Sequence, residues 1–299
     1  SKNLKLENEV GDLQKALVVL IGFFYSNRLD KQSIQISSNP WVGFTPFIYA
    51  QEKGWLDKTS FKFVWLVDLS ENSRLYDSGF TQGFTATQYE LLHFKEHSHL
   101  KPIFLIDRSY GADVILANRS LNELRAEHKP ISVYLELGSL NEDFFKAFVQ
   151  ENGLEKLQFV LKNSSQKMMT TLSPSGSPTI MISYDPYVSE FLKKGYVRVA
   201  STRSMQSFSV IDALFVDERF VNGREDDYRE LLTIFNKALD QFKRDPHEYY
   251  ETIHGYLEGQ SYQEFMDSTT QIQWLNSGTH TNIETQLHAQ HIETNRLLH

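Results

Sequence analysis

Residues 37–56, SSNPWVGFTPFIYAQEKGWL, follow the alternating run SIQIS at 33–37, and their reading decides the fold. The alternation predicts a strand, Asn39-Pro40 breaks it, and Thr45-Pro46 is an N-cap-then-proline pair that opens a helix. Phe47, Tyr49 and Ala50 carry the helical pattern to Gly54, a natural C-terminal stop. The unit is a strand, an exposed loop bearing Trp41, and a helix whose first amides point back toward that loop. Those amides lack internal partners and carry partial positive charge, so they suit an anionic or polar group. The same pattern also describes an ordinary first β-loop-α unit in which Trp41 is core.

Working outward, strand, turn and helix repeat as far as Ile106, with strands at 61–66, 84–86 and 102–106 and helices at 71–77 and 89–97. In DRSYGADVILANR, residues 107–119, a polar glycine-containing turn precedes an apolar run; here the chain leaves its first lobe. Asp107, Ser109 and Asp113 lie at that crossing, to line a cleft or to tie a hinge. A second series follows, with strands at 131–135, 157–161, 179–183 and 197–200 and helices after Ser139, Ser164 and Asp185. Residues 207–216 return to the first lobe, and helices are expected at 226–242, 247–257, 262–269 and 283–298. Strands alternating with helices imply right-handed crossovers. The fold class is therefore α/β: two Rossmann-like lobes with mainly parallel sheets and a ligand cleft between them. Residues 31–115 and 203–299 form lobe 1, and residues 116–202 form lobe 2.

The composition, 40% hydrophobic and 23% charged, is that of an ordinary globular chain. A net charge of −8 without any Lys/Arg cluster argues against nucleic acid as a partner. The absence of cysteine removes disulfides, thiolate metal sites and thiol nucleophiles. Within residues 1–30, Leu6, Val10, Leu13, Leu17, Leu20 and Phe24 form the seam of an amphipathic helix, and 16–25 is an apolar run too short to span a bilayer. Glu7, Glu9 and Asp12 are wrong for a positively charged leader. This N-terminal helix reads as a partner-binding helix, an atypical leader or an anchor remnant.

Four strand-to-helix junctions share one chemistry: Thr45-Pro46, Thr87 with Glu90, Ser139 with Glu142, and Asp185-Pro186. In open sheets such junctions lie where ligands bind, although Ser, Thr and Asp cap helices in proteins of every kind. Trp41, Tyr184 and Tyr187 stand beside two of them, to sandwich a partly apolar ligand or to pack in the core. Asp185, if turned into the cleft, favours an amine or amidine.

Taken in order, SSNPWVGFTPFIYAQEKGWL, ENSRLYDSGFTQGFTATQYELL, DRSYGADVILANRS, YDPYVSEFLKKGY and SVIDALFV resemble the substrate-binding proteins of the nitrate/sulfonate/taurine type and the related thiamine-pyrimidine-precursor-binding group. The likeness spans about residues 33–275. It implies a type II periplasmic-binding fold that closes on a small polar organic molecule (a sulfonate, an amine-bearing zwitterion or a heterocycle) and delivers it to an ABC permease. Carried over by motif, the ligand positions are Trp41, Thr45, Thr85, Thr87, Ser109, Ser139, Tyr184 and Asp185. A periplasmic monomer is expected, tethered to the membrane if the N-terminal segment is an anchor. The alternative use of the fold is the extracellular sensor of a signalling receptor, with a membrane signalling partner.

Enzymatic readings find little support. The family's enzyme branch carries a cysteine-rich motif that a cysteine-free chain cannot supply, and neither a Gly-x-Ser-x-Gly elbow nor a glycine-rich phosphate loop is present. His93, His97 and His99, and His280, His288 and His291, have spacings that could bind metal but lack a matching carboxylate. No catalytic residue, metal or cofactor is expected.

Overall fold

Strand residues alternate between two apolar faces, and this alternation fixes both sheets. A computed structural model describes residues 32–66, 71–94 and 97–275 (backbone alone at 92 and 93), with helical positions 11 and 14–18 before them. Of the N-terminal seam only Leu17 is described, 59% exposed; its other residues and the helix expected at 283–298 lie outside the described residues. Among the described residues no helix is long and apolar enough to cross a membrane.

The strands are β1 (Ile34–Ser38), β2 (Phe61–Trp65), β3 (Gly83–Thr87), β4 (Leu100–Ser109), β5 (Asp113–Ala117), β6 (Ile131–Leu135), β7 (Phe159–Asn163), β8 (Thr179–Tyr184), β9 (Val197–Ser201), β10 (Ile211–Asp217) and β11 (Ile272–Trp274). The helices are α1 (Thr45–Glu52), α2 (Glu71–Asp77), α3 (Leu121–Arg125), α4 (Leu140–Glu151), α5 (Gln166–Thr170), α6 (Val188–Lys193), α7 (Glu225–Arg244), α8 (Pro246–Ile253) and α9 (Tyr262–Thr269). The helix expected from Tyr89 is a single 3-10 turn, Glu90–His93, before residues 95–96, which are not described.

One sheet has the order β11-β4-β10-β3-β1-β2 and the other β7-β6-β8-β5-β9. Both are mixed. β1 runs parallel to β2 and β3, and β6 parallel to β7 and β8. β10, arriving from the second sheet, inserts antiparallel between β3 and β4, and β5, arriving from the first, inserts antiparallel between β8 and β9. A strand that enters from the hinge end has to run against strands built by successive crossovers. That reverses β10 and β5 against the strands they join, and at the edge of the first sheet β11 also runs antiparallel to β4.

In the first sheet Leu214 and Val216 face the core that contains Phe47 of α1 and Phe235 of α7, whereas Ala213 and Phe215 face the core of Tyr76, Phe84 and Phe94. In the second, Val114 and Leu116 face Val188 and Phe191 of α6, while Ile115 and Ala117 face Phe144 and Phe148 of α4. This is the period of two that a sheet covered on both faces requires. α7 buries Tyr228, Leu231, Leu232, Phe235, Ala238 and Leu239 on one stripe, with Glu225, Asp226 and Asp227 in its first turn and Lys243 and Arg244 in its last, the charge order its dipole favours.

The lobes are joined at Tyr110–Ala112 and at 202–210, so residues 113–115, expected in lobe 1, belong with β5 to the second sheet. Gly111 sits at φ +107°, a conformation open to glycine, where a Cβ would meet Gln271 Oε1 at 2.4 Å. Thr202 Oγ1 accepts from Gly111 N (2.8 Å) and pairs with Ser109 Oγ (2.7 Å), tying one crossing to the other.

Phe235 is 2% exposed, with ring centroids 4.8 Å from Phe47 and 5.9 Å from Phe104. Phe235→Ala is expected to lower unfolding free energy in urea by about 3–5 kcal/mol. A loss below about 1 kcal/mol would contradict the packing of α7 against α1 and β4.

Candidate functional site

The carboxyl ends of β1, β3 and β4 and the start of β10 meet the second lobe around a small cavity of about 20 Å³, room for one or two water-sized groups. The first lobe contributes Asn39, Trp41, Thr85, Glu90 and Asp212; the second contributes Asp113, Leu140 and Tyr184. Trp41 and Tyr184 meet edge to face across the lobes, centroids 5.7 Å apart. Among the described residues no lysine, arginine or histidine lines the cavity.

Local sequence explains how each group arrives. After β1 the backbone turns at Asn39, whose carbonyl accepts from Trp41 N (2.8 Å), and a 3-10 turn over Val42–Phe44 precedes α1. Trp41 Nε1 donates to Asp107 Oδ2 at 3.2 Å. This contact depends on Gly43, because a Cβ there would lie 1.8 Å from Asp107 Oδ2. Tyr184, the last residue of β8, donates its hydroxyl to Glu136 Oε1 at 2.9 Å. Thr85 Oγ1 is bonded to Ser38 Oγ at 2.5 Å. The Trp41, Tyr184 and Thr85 side chains on the wall are thus engaged with the protein itself.

The acceptors are not. Glu90 Oε1 accepts from Thr87 Oγ1 (3.3 Å), but Glu90 Oε2, Asp113 Oδ2 and Asn39 Oδ1 are buried with no hydrogen-bond partner among the described residues. Their residues are 5%, 1% and 4% exposed. An unpartnered carboxylate in a low-dielectric pocket is costly, and its usual relief is to hold a proton. Burial pushes Glu90 up to about 8, the charges of Glu136 and Asp113 adding to it against the hydrogen bonds of Thr87. Burial likewise pushes Asp113 up to about 7, opposed by a hydrogen bond from Ser109. Asp107 and Asp212 are directly opposed on β4 and β10. Burial raises both, Asp107 to about 6, and the hydrogen bond between them leaves Asp212 as the member that keeps the proton.

Of the residues expected at the site, Trp41, Thr85 and Tyr184 line the cavity. Thr87 stands behind it and steers Glu90. Thr45 points elsewhere: it is the first residue of α1 and not its cap, and its hydroxyl donates to Val42 O (2.7 Å) and meets Tyr249 Oη (2.9 Å) inside the first lobe. Ser109 belongs to the hinge. Ser139 caps α4, accepting from Asn141 N at 3.2 Å. Asp185 does not cap α6, whose N-cap is Tyr187; it turns, half-buried, toward Ser268 and Arg198 at the lobe junction. The helix-start residues Phe44 and Leu140 line the cavity beside the acidic residues Glu90, Asp113 and Asp212. Asn39, Glu90 and Asp212 were absent from the expected set. The signal for Asp212 was a lone acid inside the apolar run SVIDALFV. Among the described residues no group of three or more His, Asp or Glu is arranged to hold a metal ion.

No protein-family model matches the chain, and no curated protein matches its sequence. Solved structures do match its fold. The ligand-binding component of an ABC-type import system from Staphylococcus aureus superimposes with a TM-score of 0.63 at 13% identity, covering 89% of this chain and 98% of that one. The periplasmic aliphatic sulphonate binding protein of Escherichia coli gives 0.64 at 13%, covering 83% and 87%. A desulfurization enzyme gives 0.56 at 12%, covering 78% and 82%. The chain therefore has the periplasmic-binding-protein fold, a scaffold that carries both solute-binding proteins and an enzyme.

The raised carboxyls make stability depend on pH. Glu90 and Asp113 hold protons in the folded chain that the unfolded chain has released above its ordinary carboxyl range, so stability is expected to fall as pH rises through 6 to 8.5. Urea titrations should show a drop on the order of 2 to 4 kcal/mol over that interval, reduced in Glu90→Gln. A flat profile in the parent chain would contradict the burial of these groups.

Proposed function

We propose that this chain is a periplasmic solute-binding protein that holds a small polar organic molecule between its two lobes and passes it to an ABC permease. The observation that carries the reading is the cavity walled by both lobes, Trp41 from one packed against Tyr184 from the other. Such a site forms only when the lobes meet, so a ligand that touches both walls favours the closed arrangement by its differential affinity. The structurally similar import component from Staphylococcus aureus and the sulphonate-binding protein support the transport role. Among the described residues the lining holds no histidine, lysine or serine, and we assign no catalytic role despite the similar desulfurization enzyme.

The closed arrangement is held lightly at its rim. Lys193 Nζ lies 3.8 Å from Glu264 Oε1, and Lys167 Nζ lies 4.0 Å from Glu258 Oε2, each pair bridging the lobes. Exposed pairs of this kind are worth about 0–1 kcal/mol, small enough for the lobes to part. At the hinge, Arg203 donates to Tyr110 O (3.2 Å) and Thr270 O (3.3 Å) and holds the crossings in register. A solute bulkier than one or two water-sized groups keeps the lobes further apart than they are in this closed form.

The absence of cysteine gives a direct test, because paired labels can be placed without background. Spin labels at Lys193→Cys and Gln263→Cys, on opposite rims, are expected to report a broad distance distribution. It should collapse to the short distance when the solute is supplied from a pool of amines, sulfonates, carboxylates and heterocycles. Trp41→Ala should block the collapse. One fixed distance under every condition would overturn the proposal.

A further inference from the structure

We infer that the cavity takes the primary ammonium group of an organic amine, held by Glu90 and Asp113 from opposite lobes with Asn39 as third acceptor. The inference rests on the solute-binding reading and narrows it to one ligand class. Asn39, Glu90 and Asp113 line a space of about 20 Å³, and each has a buried oxygen, Asn39 Oδ1, Glu90 Oε2 and Asp113 Oδ2, with no hydrogen-bond partner among the described residues. A primary ammonium is compact, carries three N–H donors and has no lone pair. It therefore matches the number, the polarity and the size of what the cavity leaves unsatisfied.

The surrounding charge points the same way. Glu136, Asp107 and Asp212 stand behind or beside the unpartnered oxygens, and Glu136 and Asp113 both press on Glu90. Among the described residues no cationic side chain lines the cavity to receive a sulfonate, a nitrate or a carboxylate. Burial raises both Glu90 and Asp113 toward holding a proton, which does what a bound cation would do, and an ammonium group would take that place. Trp41 and Tyr184 offer ring surface beside the charge, and Phe44, Leu140 and Val210 supply apolar wall for the carbon skeleton. Glu90 and Asp113 lie on different lobes, so one ammonium bonded to both ties closure to the recognition of charge.

The test is thermal-shift and calorimetric titration of the full chain at pH 7.5 with methylammonium, butylamine, putrescine, agmatine and phenethylamine. Tetramethylammonium, methanesulfonate, nitrate, thymine and calcium and zinc chlorides serve as counter-probes. The expected result is saturable binding of at least one primary amine with no response to tetramethylammonium. Glu90→Gln and Asp113→Asn should each weaken that binding tenfold or more while circular dichroism shows the fold retained. Since Glu90→Gln puts a neutral amide of the same shape where the buried carboxyl is driven to hold a proton, it is expected to fold at least as well as the parent at this pH. Saturable binding of methanesulfonate, nitrate, thymine or a metal chloride with none of the amines would overturn the ammonium assignment and leave the solute-binding reading standing. Amine binding that survives both substitutions would overturn the placement of the site. No binding of any probe, together with a fixed lobe distance in the label experiment, would overturn both readings.

Discussion

An ionised carboxyl group enclosed by protein must meet a positive charge, find donors or take up a proton, and the arrangement between the lobes follows from that constraint. Glu90 and Asp113 face each other's lobes with one oxygen apiece lacking a partner among the described residues. The donors on the wall are spent on the protein's own groups, with Trp41 on Asp107, Tyr184 on Glu136 and Thr85 on Ser38. The two lobes thus meet over packed aromatic and apolar groups while carboxyl oxygens of Glu90 and Asp113 lack protein partners among the described residues.

The fold supplies this arrangement economically. Inserting β10 between β3 and β4 brings an acid-bearing strand start, Asp212, to the edge where β1, β3 and β4 end. Inserting β5 between β8 and β9 brings Asp113 beside Tyr184, its register partner. Both reversed strands begin at the hinge, so the residues that first enter each lobe also face the cleft. Gly111 and Thr202 keep the crossings close together, and Gly43 leaves the space in which Trp41 meets Asp107. Three small or hydroxyl residues thereby set the position of the aromatic and acidic groups around them.

Most of the architecture was legible because it depends on local periodicity. The strand at 34–38 and the helix at 262–269 stand where alternation and capping signals put them, whereas the loop expected to be exposed is buried, with Trp41 in the core, and Asp107–Ser109 extend β4 instead of opening a turn. The fold class follows from the same signals and agrees with the solved structures. The site was less legible because it depends on long-range placement. A Ser or Thr before a helix reads identically whether its hydroxyl caps that helix, as Ser139 does, or is consumed inside a lobe, as Thr45 is against Tyr249. Glu90 reads as the far end of a capping box; its position above β3 gives its second oxygen to the cavity. Asp185 looked the natural cation ligand and instead meets α9 across the lobe junction.

Carboxyl-selective 13C NMR of the ligand-free chain measures the governing constraint without any ligand in hand. With Glu90→Gln used to assign the resonance, the Glu90 carboxyl carbon is expected to titrate near pH 8, far above an ordinary glutamate. A midpoint between about 4 and 5 would mean that water or a donor already satisfies that oxygen, and would contradict a cleft whose carboxyls await a cation.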